Sequence, residues 1–151
     1  MNIKDSTFLV TGGSAGIGKA TAKLLVEKGG KVAITGRDKS KLEKVAKEIE
    51  AFPIYADVAV EYEARKTYEI FLKQFVRLDC LINNAGIGDA WNEIAELDMK
   101  AFHKVYDVNV FGAALMASEA AKLFKKQKSG NIINIASTAG TKGFANGTVY
   151  A

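Results

Sequence analysis

Hydrophobic and polar positions change period repeatedly along the chain, and each change marks an element. Phe8-Leu9-Val10 is a short apolar run and reads as a first strand. Beyond a glycine-rich stretch, Ile17, Thr21, Leu24 and Leu25 fall on one helical face, and Gly29-Gly30 stops that helix. Lys31 to Gly36 reads as a second strand. Ser40 and Glu43 fit a capping box, opening a helix with an apolar face of Leu42, Val45, Ala46 and Ile49. Its other face sets Lys39 against Glu43, Glu43 against Lys47 and Lys44 against Glu48 at i,i+4, which describes a solvated surface.

A third strand, Phe52 to Ala56, contains the single proline of the chain, Pro53. Proline cannot donate to a ladder, so this strand is expected at a sheet edge. A helix with Ala64, Tyr68, Phe71, Leu72 and Phe75 on one face leads to a fourth strand, Leu78 to Asn83. From Glu93 to about Lys128 the pattern is helical, interrupted at Asp107-Val108-Asn109. Val110 to Ala117 is apolar or glycine all round, so it needs cover on two sides: the sheet and a second protein surface. A fifth strand, Asn131 to Ala136, runs into Ser137 and a glycine-bearing loop. Alternating strands and helices predict an α/β fold, and the edge placement of the proline strand fits a doubly wound parallel sheet of order 3-2-1-4-5, in which strand 3 is outermost.

The chemistry centres on Thr11-Gly12-Gly13-Ser14-Ala15-Gly16-Ile17-Gly18, spaced T-G-x-x-x-G-x-G between the first strand and the first helix. Strand, glycine turn and helix together aim free N–H groups and the positive end of a helix dipole at a bound phosphate. Taken alone, the stretch also suits a tight turn with no ligand.

Composition narrows the partners. The 151 residues suffice for one domain with a real core, and 25% charged against 48% apolar residues is ordinary for a globular protein. With 21 basic and 17 acidic residues the net charge is +4, and the lysines are spread along helices rather than gathered into a stripe. Nucleic acid is therefore not the expected partner, whereas anionic small molecules are favoured. One cysteine, Cys80, excludes an intramolecular disulfide, and one histidine, His103, leaves no cluster for a metal. No apolar run of about eighteen residues occurs, and the first five residues carry no apolar targeting region, so a cytoplasmic, membrane-free protein is expected. Cys80, His103 and Trp91 are read as structural or incidental.

Four landmarks stand in one order: Thr11 to Gly18, Asn83-Asn84-Ala85-Gly86, Asn109, and Ser137 followed by Tyr150. The chain thereby resembles the short-chain dehydrogenase/reductase family, NAD(P)-dependent oxidoreductases on a Rossmann fold, over its whole length. The resemblance implies that Thr11, Gly12, Ser14, Gly16, Ile17 and Gly18 form the coenzyme turn. It implies that Asp57, with Val58 beside it, meets the adenine, and that Asn84, Ala85 and Gly86 floor the coenzyme site. It further implies that Asn109 holds a proton-relay water, Ser137 hydrogen-bonds the substrate carbonyl and Tyr150 is the acid/base. Each has a rival: Asp57 could cap a turn, Asn109 could break the helix by local backbone bonding, and Ser137 and Tyr150 could be loop residues.

The family's lysine four residues after the tyrosine would stand beyond Ala151, and five strands are visible where six or more are expected. The 151 residues are thus expected to be one dinucleotide-binding domain, incomplete at its C-terminus, with the fifth strand an uncovered edge. Alone they are expected to bind coenzyme weakly at best and to turn nothing over. The expected whole is an alcohol/carbonyl oxidoreductase acting on a small molecule; the alternative is a non-catalytic nucleotide sensor or scaffold. An NAD-preferring member would carry an acid at the end of strand 2. Here Gly36 is followed by Arg37, so NADP is the expected coenzyme, with NAD as runner-up through Asp38, otherwise a helix cap. The apolar helix from Val110 implies a homodimer or homotetramer.

Overall fold

The computed structural model describes residues 2–88 and 92–150, so Trp91 lies outside the described residues. Five parallel strands form one sheet of order β3-β2-β1-β4-β5: β1 Thr7–Val10, β2 Lys31–Gly36, β3 Phe52–Tyr55, β4 Cys80–Asn83 and β5 Asn131–Asn134. The helices are α1 Gly16–Glu27, α2 Lys39–Ile49, α3 Glu61–Gln74, α4 Met99–Tyr106 and α5 Ala113–Gln127.

Alternation along β1 divides the core. Phe8 and Val10 pack with Ala22 and Leu25 of α1 and Leu42 and Val45 of α2, while Leu9 packs with Tyr68 and Phe71 of α3 and Met116 of α5. Both faces of the central strands are covered by helices, as an all-parallel sheet requires. Pro53 sits on the outermost strand, where its missing N–H breaks no ladder. At the opposite edge, β5 is exposed at all four positions.

Three expectations are corrected. The buried side of α1 is Gly18, Ala22 and Leu25, while Ile17 is 64% and Leu24 52% exposed. Gly18, lacking a Cβ, brings the helix N-terminus against the turn, and this turns the helix away from the face read from Ile17. The capping box at Ser40 does not form; Asp38 caps α2, its Oδ1 accepting the Lys41 N–H at 2.9 Å. The interruption at Asp107-Val108-Asn109 is no break: Asp107–Gly112 is a π-helical turn continuous with α4 and α5. Such a turn carries an extra residue and shifts the helical register. Asn83 Nδ2 donates to the Ala113 carbonyl at 3.0 Å, where the α-helix resumes.

Candidate functional site

The strand ends, the glycine turn and the π turn enclose two adjoining cavities. The smaller, about 240 Å³, is walled by Gly12, Ser14, Gly36, Arg37, Asp57 and Val58, with Ala85, Gly86 and Val108 across from them. The larger, about 880 Å³, runs from Ile17 past Asn84, Ala85, Gly86 and Asn109 to Ser137 and Tyr150. Ala85, Gly86 and Ile87 line both, so the two adjoin along that segment.

The turn is held from behind. Thr11 is 1% exposed, and its Oγ1 accepts the N–H groups of Asn84 at 3.0 Å and Ala85 at 2.9 Å. Asn84 Nδ2 in return donates to the carbonyls of Thr11 at 2.9 Å and Gly12 at 3.3 Å. Thr11 therefore joins the ends of β1 and β4 and does not face either cavity. Thr35, which sequence reasoning passed over, supports the turn from the other side: its carbonyl accepts the Gly13 N–H at 2.9 Å and its Oγ1 the Gly12 N–H at 3.4 Å. A threonine inside a continuous apolar strand was the available signal.

Each glycine has a distinct steric reason. Gly12 has φ +64°, and a Cβ there would lie 2.9 Å from Ala85 Cα. At Gly18 a Cβ would come within 2.4 Å of Asn84 Nδ2 and 2.5 Å of the Gly12 carbonyl oxygen. Gly16 has φ +50° and nothing within 4 Å of its Cβ position. No side chain caps α1, whose first turn opens where Gly16 leaves this space. An uncapped N-terminus with an open glycine fits a diphosphate-bearing ligand.

Around the smaller cavity, Asp57 does cap a turn, its Oδ1 accepting the Ala59 N–H at 3.0 Å, while Oδ2 stands 3.7 Å from Arg37 Nη1. Asp57 and Arg37 thus share one wall. A Cβ at Gly36 would stand 3.0 Å from Ser14 Oγ, so the serine side chain would have to shift by a few tenths of an ångström to admit one. In the larger cavity, Ile17 contributes its exposed side chain as wall rather than as core. Asn109 bonds the backbone of Ile87 and not a neighbour on its own helix. Ser137 Oγ accepts the Ala139 N–H at 3.1 Å, so the hydroxyl proton remains available as a donor. Cys80 lines neither cavity; burial pushes its thiol up to about 11, with the Asp79 charge adding to it. Among the described residues no cluster of His, Cys, Asp and Glu could hold a metal ion, and no helix is long and apolar enough to cross a membrane.

A profile of short chain dehydrogenases matches residues 6–151, and the chain belongs to that family of NAD(P)-dependent oxidoreductases. An uncharacterised oxidoreductase of Listeria monocytogenes is 35% identical over 99% of this chain and 62% of its own length. NAD+-bound xylitol dehydrogenase superposes with a TM-score of 0.92 at 30% identity, over 99% of this chain and 60% of that one. The 3-ketoacyl-(acyl-carrier-protein) reductase of Brucella melitensis, complexed with NADH, gives 0.93 at 33% identity over 98% and 63%. The chain thus spans about three-fifths of the length of these relatives.

Proposed function

We propose that the protein is an NADP(H)-dependent oxidoreductase interconverting a small carbonyl compound and its alcohol. The observation that carries this reading is the joint lining of one cavity by Ser137, Tyr150, Asn109 and the Asn84-Ala85-Gly86 floor, beside an uncapped helix N-terminus. Gly12, Ser14, Gly16, Ile17 and Gly18 would cradle the dinucleotide, Asp57 and Val58 its adenine, with Thr11 acting through Asn84 and Ala85. When bound, the coenzyme supplies or accepts the hydride. Ser137 Oγ–H donates to the substrate carbonyl oxygen, and the Tyr150 phenol delivers a proton to that oxygen as it gains negative charge. Asn109 would hold the water through which a proton returns to the phenol.

NADP is favoured over NAD because the smaller cavity is lined by Arg37 and by Gly36, which carries no acid, while Asp38 is engaged as the α2 cap. The exposed Val110 and Phe111 on the π turn suit burial against a second copy, in a homodimer or homotetramer. The buried thiol of Cys80 suits a reducing cytoplasm. Fluorescence titration of the whole protein with NADPH and NADH, followed by a carbonyl panel, tests the reading. Tighter NADPH binding and turnover of at least one carbonyl are expected; failure to bind either coenzyme overturns it.

A further inference from the structure

The residues just before Tyr150 are docked on α4 and on the segment after β4. Asn92 and Gly147 form an isolated parallel bridge, and Thr148 Oγ1 donates to the Asn92 carbonyl at 3.2 Å. Val149 is 5% exposed and packs with Val105 of α4, itself 2% exposed, under Ile87, Leu97, Ala101 and Phe102. The Tyr150 N–H donates to the Gly147 carbonyl at 3.0 Å, closing a turn over the docked pair. The turn is built with special backbone: Asn146 takes φ +61°, and a Cβ on Gly147 would stand 2.7 Å from the Phe144 ring.

Two attachments therefore act on the two residues immediately upstream of the phenol, one a hydrogen bond and one a buried side chain. Ile87 links them to the rest of the cavity. Its backbone is gripped by Asn109, and its side chain packs in the cluster that holds Val149.

We propose that Thr148 and Val149 are positioning residues: the Thr148 bond to Asn92 and the seating of Val149 against Val105 fix where the Tyr150 phenol stands in the larger cavity. The proposal rests on the acid/base reading of Tyr150 given above. A loose Tyr150 would still leave the coenzyme turn, on the far strands, intact. The loss should therefore fall on the chemical step and not on coenzyme binding.

The test compares the whole protein with Thr148→Val, which removes the hydroxyl at nearly constant shape, Thr148→Ser, which keeps it, and Val149→Ala. For Thr148→Val and Val149→Ala, kcat on the carbonyl panel is expected to fall about ten- to hundred-fold, as for a misplacement of about 1 Å. The KM for coenzyme should stay within about twofold of the parent, and Thr148→Ser within about threefold of the parent kcat. In tyrosine-labelled protein, the Tyr150 ring signals, assigned with Tyr150→Phe, are expected to move in Thr148→Val and Val149→Ala while those of Tyr55 and Tyr62 stay in place. Unmoved Tyr150 signals overturn the proposal, whether or not kcat falls, and so does a kcat that survives in both variants. A parent that binds coenzyme but reduces no carbonyl overturns the acid/base reading instead; the ring signals then decide the positioning by themselves.

Discussion

Asn109 holds Ile87 by both of its backbone groups: Oδ1 accepts the Ile87 N–H and Nδ2 donates to the Ile87 carbonyl, each at 2.8 Å. The carboxamide thus behaves like a strand partner supplied by a helix. It ties the π turn to the segment leaving β4, where the two cavities meet. Asn109→Leu leaves a half-buried donor and acceptor unmatched, which costs about 1–3 kcal/mol. Urea unfolding of parent and variant measures this, and an unchanged midpoint would show the grip to be dispensable.

Gly18→Ala is expected to harm both stability and coenzyme binding. The added Cβ would lie 2.5 Å from the Gly12 carbonyl oxygen, a backbone atom, so the turn itself must move. Overpacking of this kind costs about 1–3 kcal/mol. Gly143→Ala is the control, since nothing lies within 4 Å of its Cβ position and it lines neither cavity; it should stay within about 0.5 kcal/mol of the parent. Thermal melts and an NADPH titration of the two variants check the contrast.

The order of the sheet was legible because each strand and helix announces itself by a local period, and because one proline reports an edge. The glycine turn was legible for the same local reason. What escaped depends on contacts between distant residues. The face of α1 is decided by how closely Gly18 approaches Asn84 and Gly12, not by the apolar count around Ile17 and Leu24. Asp38 and Ser40 are both good cap residues, and the choice between them follows from where the chain leaves β2. The π turn looked like a break because Asn109 disfavours a regular helix, whereas its carboxamide is spent on Ile87 and does not compete with the helix backbone. Thr35 belongs to no motif, its one signal being a hydroxyl in an apolar strand, and the folded turn shows that it anchors Gly12 and Gly13.

Arg37→Ala should separate the two coenzymes. The guanidinium stands 3.7 Å from Asp57 at the wall of the smaller cavity, with no acid at Gly36 to compete for a ribose. Charge-assisted hydrogen bonds to a 2′-phosphate are worth about 1.5–3 kcal/mol each, so losing one lowers NADP affinity about ten- to hundred-fold. NAD affinity should barely change. Titrations in which both coenzymes weaken alike, or neither does, would remove Arg37 from the specificity argument.

Asp79 gives the lower end of the sheet a pH dependence of its own. Burial pushes its carboxyl up, but the Thr7 N–H at 2.9 Å, the Thr7 hydroxyl at 3.0 Å and Arg77 at 2.8 Å outweigh this and hold it below the usual carboxylate range. The folded protein therefore binds this proton less readily than the unfolded chain does. The resulting stabilisation is complete above the unfolded pKa of about 4, and is lost as pH falls through the lower folded value. Asp79→Asn removes the charge, so its melting temperature should lie below the parent's at pH 7. The gap should close progressively as pH falls below about 4. Melts from neutral to acid pH supply the check: a gap of constant size throughout would mean that Asp79 acts through shape and hydrogen bonding, and that its ionisation contributes nothing.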